Sequence, residues 1–465
     1  MEAAASTDAR RPRLTPRARG WNHGSVETGR EEAGRLLAIV LAVAAAARIA
    51  AILTVGSSPH LHGDEVDYVE AALSLARGEG HPGAVRAPGY PAFLAAVFSA
   101  FGESLVAARL AQVPLALSTV AMVFDLVRPR FGARAAAISA AVTALHPTLV
   151  AYGHFLWSET LVSTLLVACA WLLERFARSG RESWLAAFGV AAGLLVLSRE
   201  MFAPLALAAA AWAAAGCDLR GRLRRALLVL LPVAALVLPW TLRNHALLGR
   251  WVLVSTTRWM PMAQGNLLPP DGSWIRPATG ADFLARYKAV EGEVEREELA
   301  RAVALDAIRE AQPGWIAKKL VRTNYLLFLP WSQLGRFAAR DWLPGRWSAI
   351  GWPLFALEAA FYLAASALGI AAFWWVPAPG LKPLLVVPIL FQVAVYVVAN
   401  ANHRFRVPML PLLAVLVGPL LLGARAHDRR GLRWAGTLLC LFALAWPAAV
   451  WAVRPDLRPT APSAD

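Results

Sequence analysis

Charge is scarce in this sequence, cysteine nearly absent, and the short signatures of common soluble enzymes are missing. Asp, Glu, Lys and Arg make up only 17% of 465 residues, while 58% are hydrophobic. A soluble chain of this length carries more charge and breaks its apolar runs well before the roughly 20 residues that a bilayer core requires. Cys169, Cys217 and Cys440 fall in or beside apolar segments without metal-ligand spacing, so neither a disulfide framework nor a zinc site is indicated. There is no glycine-rich phosphate loop, no nucleophile elbow and no metal cluster, which argues against soluble nucleotide chemistry. No repeat at solenoid periods appears. The first 33 residues lack the apolar core and small-residue cleavage site of a signal peptide.

What remains is a succession of apolar segments with arginine between them. Spans are expected at about 36–55, 104–126, 135–152, 157–174, 184–198, 201–216, 226–242, 350–373, 383–400, 407–423 and 434–452. The expected class is therefore an all-α, polytopic integral membrane protein with about eleven transmembrane helices and amphipathic helices in its outer loops. The divisions that follow are a disordered cytoplasmic tail (1–33), an N-terminal transmembrane catalytic module (34–242) with a first outer loop at 56–101, an outer loop with amphipathic helices (243–349), C-terminal transmembrane helices (350–453) and a tail (454–465).

The net charge of +15 could suggest nucleic acid, but the arginines lie mostly between spans, where membrane orientation explains them. Seven arginines precede Leu36, and alternate loops repeat the excess: Arg128, Arg130 and Arg134; Arg175, Arg178 and Arg181; Arg220 to Arg225; Arg425 to Arg433. This parity puts the N-terminus in the cytoplasm and the other loops on the outer face. In the first outer loop a short helix fits Val66 to Leu75. In the second, a charged helix fits 282–310, with Glu297 and Arg301 in the favourable i,i+4 order, and another begins at Pro313. The stretch 315–331 is apolar enough to span and would then reverse the parity.

The outer loops gather acids and arginines. His62 to Tyr68 places Asp64, Glu65 and Asp67 just after the first span; His146, His154 and Glu159 form a second group; Arg86, Arg109, Arg243, Arg404 and Arg406 supply cations. An acid at the mouth of a membrane bundle is costly unless paired, solvated or used. Arginine's planar fork matches phosphate, and a carboxylate can take the proton from a hydroxyl nucleophile. Each residue also has a structural reading: Arg109 could snorkel, His146 could end a helix before Pro147, and Glu159 could serve the helix dipole. Arg404 and Arg406 carry the wrong sign for an outer loop, which a bound phosphate would explain.

Taken in order, Asp64-Glu65 after the first span, Arg86 with Pro88, Gly89, Tyr90 and Pro91, then Arg109, His146-Pro147, Ser158-Glu159, Pro239-Trp240 with Arg243-Asn244, and Arg404, Arg406, Pro408 and Pro411 resemble the GT-C glycosyltransferase superfamily, in particular bacterial members similar to protein O-mannosyltransferases and the lipid A aminoarabinose transferase. The resemblance covers roughly residues 34–425. Ala87, where relatives often have proline, and the lack of a large soluble domain after the last span depart from the pattern.

The resemblance implies inverting transfer of a sugar from a polyprenyl-phosphate carrier to a lipid, glycan or protein hydroxyl on the periplasmic face of the bacterial inner membrane. It implies Asp64 as the general base with Glu65 beside it, Arg86 and Arg109 on the carrier phosphate, and Glu159 in the acceptor or sugar pocket; His146 and Tyr90 are candidates for that pocket, and Arg404 and Arg406 are added to the phosphate site. No metal ligand is assigned, and a divalent metal is compatible with the resemblance without being indicated. The expected partners are the donor, the bilayer and the acceptor, with no nucleic acid. A lipid or solute transporter is the alternative, although its charges would be expected near the midplane rather than at one face.

Overall fold

The computed structural model describes residues 23–54, 61, 63–267, 278–327 and 346–424. The expected span at 434–452, the tail 454–465 and most of the expected N-terminal tail lie outside the described residues. Among the described residues the chain is all-α, with no strand.

Helix α1 (His23–Thr54) starts ahead of the expected span because the run from His23 to Arg35 contains no proline. Helix α2 (Asp64–Ala76) follows Gly63, whose φ of 59° favours glycine, and gathers Asp64, Glu65 and Asp67 in its first turn, where acids suit the helix dipole. Helix α3 (Gly89–Phe101), not foreseen from the sequence, makes the later part of the segment expected as the first outer loop helical too. Element α4 (Leu105–Leu145) is 41 residues long but leaves helical geometry at Gly132 (φ 82°). Its two legs, 105–131 and 133–145, correspond to the two spans expected there. Then come α5 (Pro147–Tyr152), α6 (Glu159–Ser179), α7 (Ser183–Ser198), α8 (Ala203–Ala214) and α9 (Leu219–Leu248).

Among the described residues, five helices are long and apolar enough to cross a membrane: those containing Gly29–Leu53, Leu105–Leu145, Glu159–Ser179, Leu219–Leu248 and Gly351–Trp375. Shorter apolar helices include Ser183–Ser198 and Lys382–Val398. The protein is an integral membrane protein whose outward-facing apolar residues, such as Leu231 and Leu238 on α9, suit lipid.

The segment expected to form the second outer loop contains α10 (Trp259–Leu267), α11 (Ala278–Ala289), α12 (Glu293–Glu310) and α13 (Trp315–Leu327). The single helix expected at 282–310 is two, interrupted at 290–292, where Gly292 enters α12 in extended geometry. Helix α13, at 13 residues, is shorter than a bilayer crossing requires; residues 328–331 of the stretch thought able to span lie outside the described residues. After α14 (Arg346–Trp375) and α15 (Lys382–Val398), the expected span at 407–423 is broken. Residues His403–Met409 form a 3-10 helix, followed by the short α16 (Leu410–Ala414) and α17 (Val417–Leu421). Proline at 408 and 411 accounts for part of the interruption.

The main core joins α1, α4, α6, α7 and α8 through Ala44, Val123, Leu166, Phe188 and Ala206. A second core, of Tyr68, Tyr90, Leu94, Phe155 and Trp157, fastens α2 and α3 onto the 152–157 turn. That second core fixes where the acids of α2 point. Arg48, the one charged residue of the first expected span, is buried and donates to Ala44 O (3.1 Å) and Ala144 O (2.8 Å), a structural role.

Candidate active site

Four separate elements bring their ends together around Asp64. Asp64 stands at the start of α2, Glu159 at the start of α6, Arg199 just past α7, and Arg404 in the 3-10 helix. Arg86 reaches in from the segment between α2 and α3.

Arg404 is the joint. Its Nη1 donates to Asp64 Oδ2 (2.5 Å) while Nη2 donates to Glu159 Oε2 (3.1 Å) and Nε to Glu159 Oε1. Its guanidinium lies 4.1 Å from the Trp157 ring centroid, so an aromatic face supports the planar cation. On one side Arg86 Nη2 donates to Asp64 Oδ1 (2.8 Å) and to Asp67 Oδ2 (2.5 Å). On the other, Arg199 donates to Glu159 Oε1 (2.5 Å) and to the Tyr396 hydroxyl (2.7 Å). Tyr396 stacks on Phe405, with centroids 4.4 Å apart.

The two acids differ in access. Glu159 is fully buried, whereas the Asp64 side chain is 31% exposed. Burial alone would raise the Asp64 pKa, but Arg404 and Arg86 beside it hold the carboxyl down at about 2. It is therefore ionised at neutral pH and reachable from solvent.

Of the residues singled out in the sequence, the structure brings Asp64, Asp67, Arg86, Glu159 and Arg404 into one network and leaves the others apart. Glu65 follows Asp64 by one residue, about 100° around the helix, and so turns inward. It is 1% exposed and accepts from Leu156 N at 2.8 Å. Arg109, also buried, lies 4.0 Å from Glu65 and not beside Asp64. Tyr90 is fully buried and donates to Gln112 (3.0 Å). His146 caps the end of α4 and packs edge-on against Phe361 and Tyr362. Arg406 points away from Arg404 because a 3-10 helix turns about 120° per residue, so two steps leave the side chains about 120° apart. It packs over Tyr362 at 3.7 Å.

The sequence marks Asp67 as an acid of the first outer loop without a role of its own, and does not single out Trp157, Arg199 or Tyr396. Two signals were available. Asp67 lies three residues after Asp64 on the same helical face, and Arg199 is a cation in an outer loop, the same anomaly that marked Arg404.

Beside this network, an apolar cavity of about 240 Å³ lies between α6, α7, α8 and α15, lined by residues that include Leu166, Leu195, Phe202, Trp212 and Leu384. Helices α6 and α15 thus supply both the cavity wall and, at their other residues, Glu159 and Tyr396. Among the described residues no group of three His, Cys, Asp or Glu side chains is placed to hold a metal.

Residues 81–242 match the model of the dolichyl-phosphate-mannose-protein mannosyltransferase family, about a third of the chain. This match bears out the resemblance to the GT-C superfamily, and the matched stretch contains Arg86, Glu159 and Arg199. No curated protein matches the chain significantly. Among solved structures, the chain is similar to the oligosaccharyltransferase AglB of Archaeoglobus fulgidus in complex with an inhibitory peptide and a dolichol-phosphate, with 13% identity over 91% of this chain and 55% of that one, at a TM-score of 0.47. It is also similar to ArnT of Cupriavidus metallidurans bound to undecaprenyl phosphate, with 16% identity over 90% of this chain and 80% of that one, at a TM-score of 0.41. The chain spans about half the length of the archaeal protein.

Proposed function

We propose that the protein is a glycosyltransferase of the GT-C type that moves a sugar from a polyprenyl-phosphate carrier to an acceptor hydroxyl. The observation that carries this reading is Asp64, a solvent-reachable carboxylate flanked by Arg86 and Arg404. The pairing supplies both halves of an inverting displacement, a base for the acceptor and cations for the departing phosphate. The match of residues 81–242 to a mannosyltransferase family supports it further.

In this mechanism the apolar cavity between α6, α7, α8 and α15 takes a short part of the isoprenoid tail, and the rest lies in lipid. Arg86 and Arg404 turn from Asp64 toward the phosphate, which they can grip with paired N–H donors. Asp64 takes the proton of the acceptor hydroxyl as its oxygen attacks the anomeric carbon from the face opposite the phosphate; the C–O bond to phosphate breaks, and the leaving oxygen's charge is held by the arginines. Glu159, clamped by Arg199, keeps Arg404 oriented. The chemistry faces the periplasm, and the acceptor approaches between the first outer loop and α10–α12.

The test is incorporation of labelled sugar from polyprenyl-phosphate donors by the purified full-length protein, with a membrane extract as acceptor. Transfer by the native protein that is lost in Asp64→Asn supports the reading. Normal transfer by Asp64→Asn removes Asp64 from the role of base, and lipid movement across liposomes without any transfer favours a transporter.

A further inference from the structure

Arg86 sits at the end of a loop that the second outer segment grips from three sides. Arg243, near the end of α9, donates to Gly83 O (2.6 Å) and to His81 O. The stretch after α9 runs alongside, with Thr256 N donating to Ala84 O (2.9 Å) and Thr257 Oγ1 to Val85 O (3.1 Å). From above, Glu293 at the start of α12 accepts from Ala84 N (2.9 Å) and from Thr256 Oγ1 (3.3 Å).

This third contact is specific. Gly83 has φ of 63°, and a Cβ there would fall 1.8 Å from Glu293 Oε1, so a side chain at this position would collide with the carboxylate that reaches Ala84. Glu293 forms no salt bridge among the described residues. Its bonds go instead to the loop two residues before Arg86 and to the segment beside it. A first-turn acid also favours the dipole of its own helix, and that role needs the negative charge. Acceptance from an amide N–H does not, because a glutamine carbonyl oxygen can accept the same bond.

We propose that Glu293 is a positioning residue for Arg86: by holding Ala84 it fixes the 81–86 loop so that the Arg86 guanidinium faces Asp64 and Asp67. The inference rests on the proposed function for what Arg86 does, while the pin itself can be read without turnover.

The experiment compares full-length wild type, Glu293→Gln and Glu293→Ala by steady-state kinetics with a polyprenyl-phosphate sugar donor and by amide hydrogen exchange across residues 82–87. Glu293→Ala is expected to raise KM for the donor about tenfold, to change kcat by less than about twofold, and to speed exchange in this loop. Glu293→Gln is expected to stay within about twofold of wild type in both readouts. Unchanged exchange in Glu293→Ala, an unchanged KM despite faster exchange, or a Glu293→Gln as impaired as Glu293→Ala would each overturn the proposal. If no form transfers sugar, wild type included, the functional reading fails while the exchange comparison still decides whether Glu293 pins the loop.

Discussion

Acids and arginines meet at both ends of the helical bundle, and the two meetings are built differently. At the end opposite Asp64, Asp125 accepts from Arg175, Glu174 is held by Arg130, and Glu182 by Arg224 and Arg225. These pairs join α4 to α6 and the α6–α7 turn to α9, over sequence separations of 42 to 50 residues. At the Asp64 end the partners are 340 residues apart in the case of Arg404 and Asp64, and one arginine serves two acids. Helix α6 contributes to both, with Glu159 at its start and Glu174 fifteen residues on, about 22 Å along the axis. The chemistry of the pairs is the same at both ends; what separates a site from a clamp is long-range convergence, a shared cation and an acid left open to solvent.

The comparison is broken most decisively at Asp64. Asp64→Asn should lower sugar transfer by about a hundredfold or more while leaving the purified protein monodisperse, as measured by labelled-sugar incorporation beside size-exclusion chromatography. Monodisperse protein with full activity would erase the distinction between the two ends.

Glu159 and Glu174 sharpen it, since both are buried acids of one helix. Glu159→Gln leaves Arg404 and Arg199 without their shared anion and should cost roughly 3 kcal/mol of stability together with most activity. Glu174→Gln should lower the melting temperature by less, because Arg130 is a quarter exposed and can turn to water, and should spare transfer. Equal losses of activity in the two variants would mean that the ends act as one structural unit.

A titration gives the next effect. Because the Asp64 pKa is depressed from its ordinary 3.8 to about 2, its pairing contributes stability that is present above pH 4 and lost as pH falls through 2. Arg86→Gln removes one of the two cations, so the pH dependence of unfolding between 4 and 2 should be flatter in that variant. An unchanged slope would assign the depression to Arg404 alone. The smallest effect is expected at the solvent-exposed pair of Arg77 and Glu103, where Glu103→Gln should change neither melting temperature nor transfer.

Much of this could be read in advance, for identifiable reasons. Long apolar runs announce membrane helices because nothing else needs them, and an arginine on the wrong face, such as Arg404, announces a partner. What escaped the sequence depends on rotation about an axis. Asp64 and Glu65 are adjacent letters, yet one helical step sends the second into the core against Leu156. Arg404 and Arg406 read as a pair, but the 3-10 geometry that splits them follows from how the segment breaks after Asn402, whose side chain accepts from Arg404 N. Arg109 occupies a plausible depth and faces Glu65 instead of Asp64. Arg199 has an acid next to it in sequence, yet in the structure Glu200 bonds Ser255 and Arg258 while Arg199 reaches Glu159.

The shared arginine has a consequence for timing. The network contains as many acids as cations, Asp64, Asp67 and Glu159 against Arg86, Arg199 and Arg404, so at rest the site is close to neutral and its base is quenched by its own partners. In the proposed mechanism an arriving carrier phosphate takes Arg86 and Arg404 in exchange for Asp64. Each guanidinium that changes allegiance removes a cause of the low Asp64 pKa, so proton affinity rises only once the carrier is seated. In the proposed mechanism, then, the carrier itself sharpens the base, because seating its phosphate draws the two guanidiniums away from Asp64.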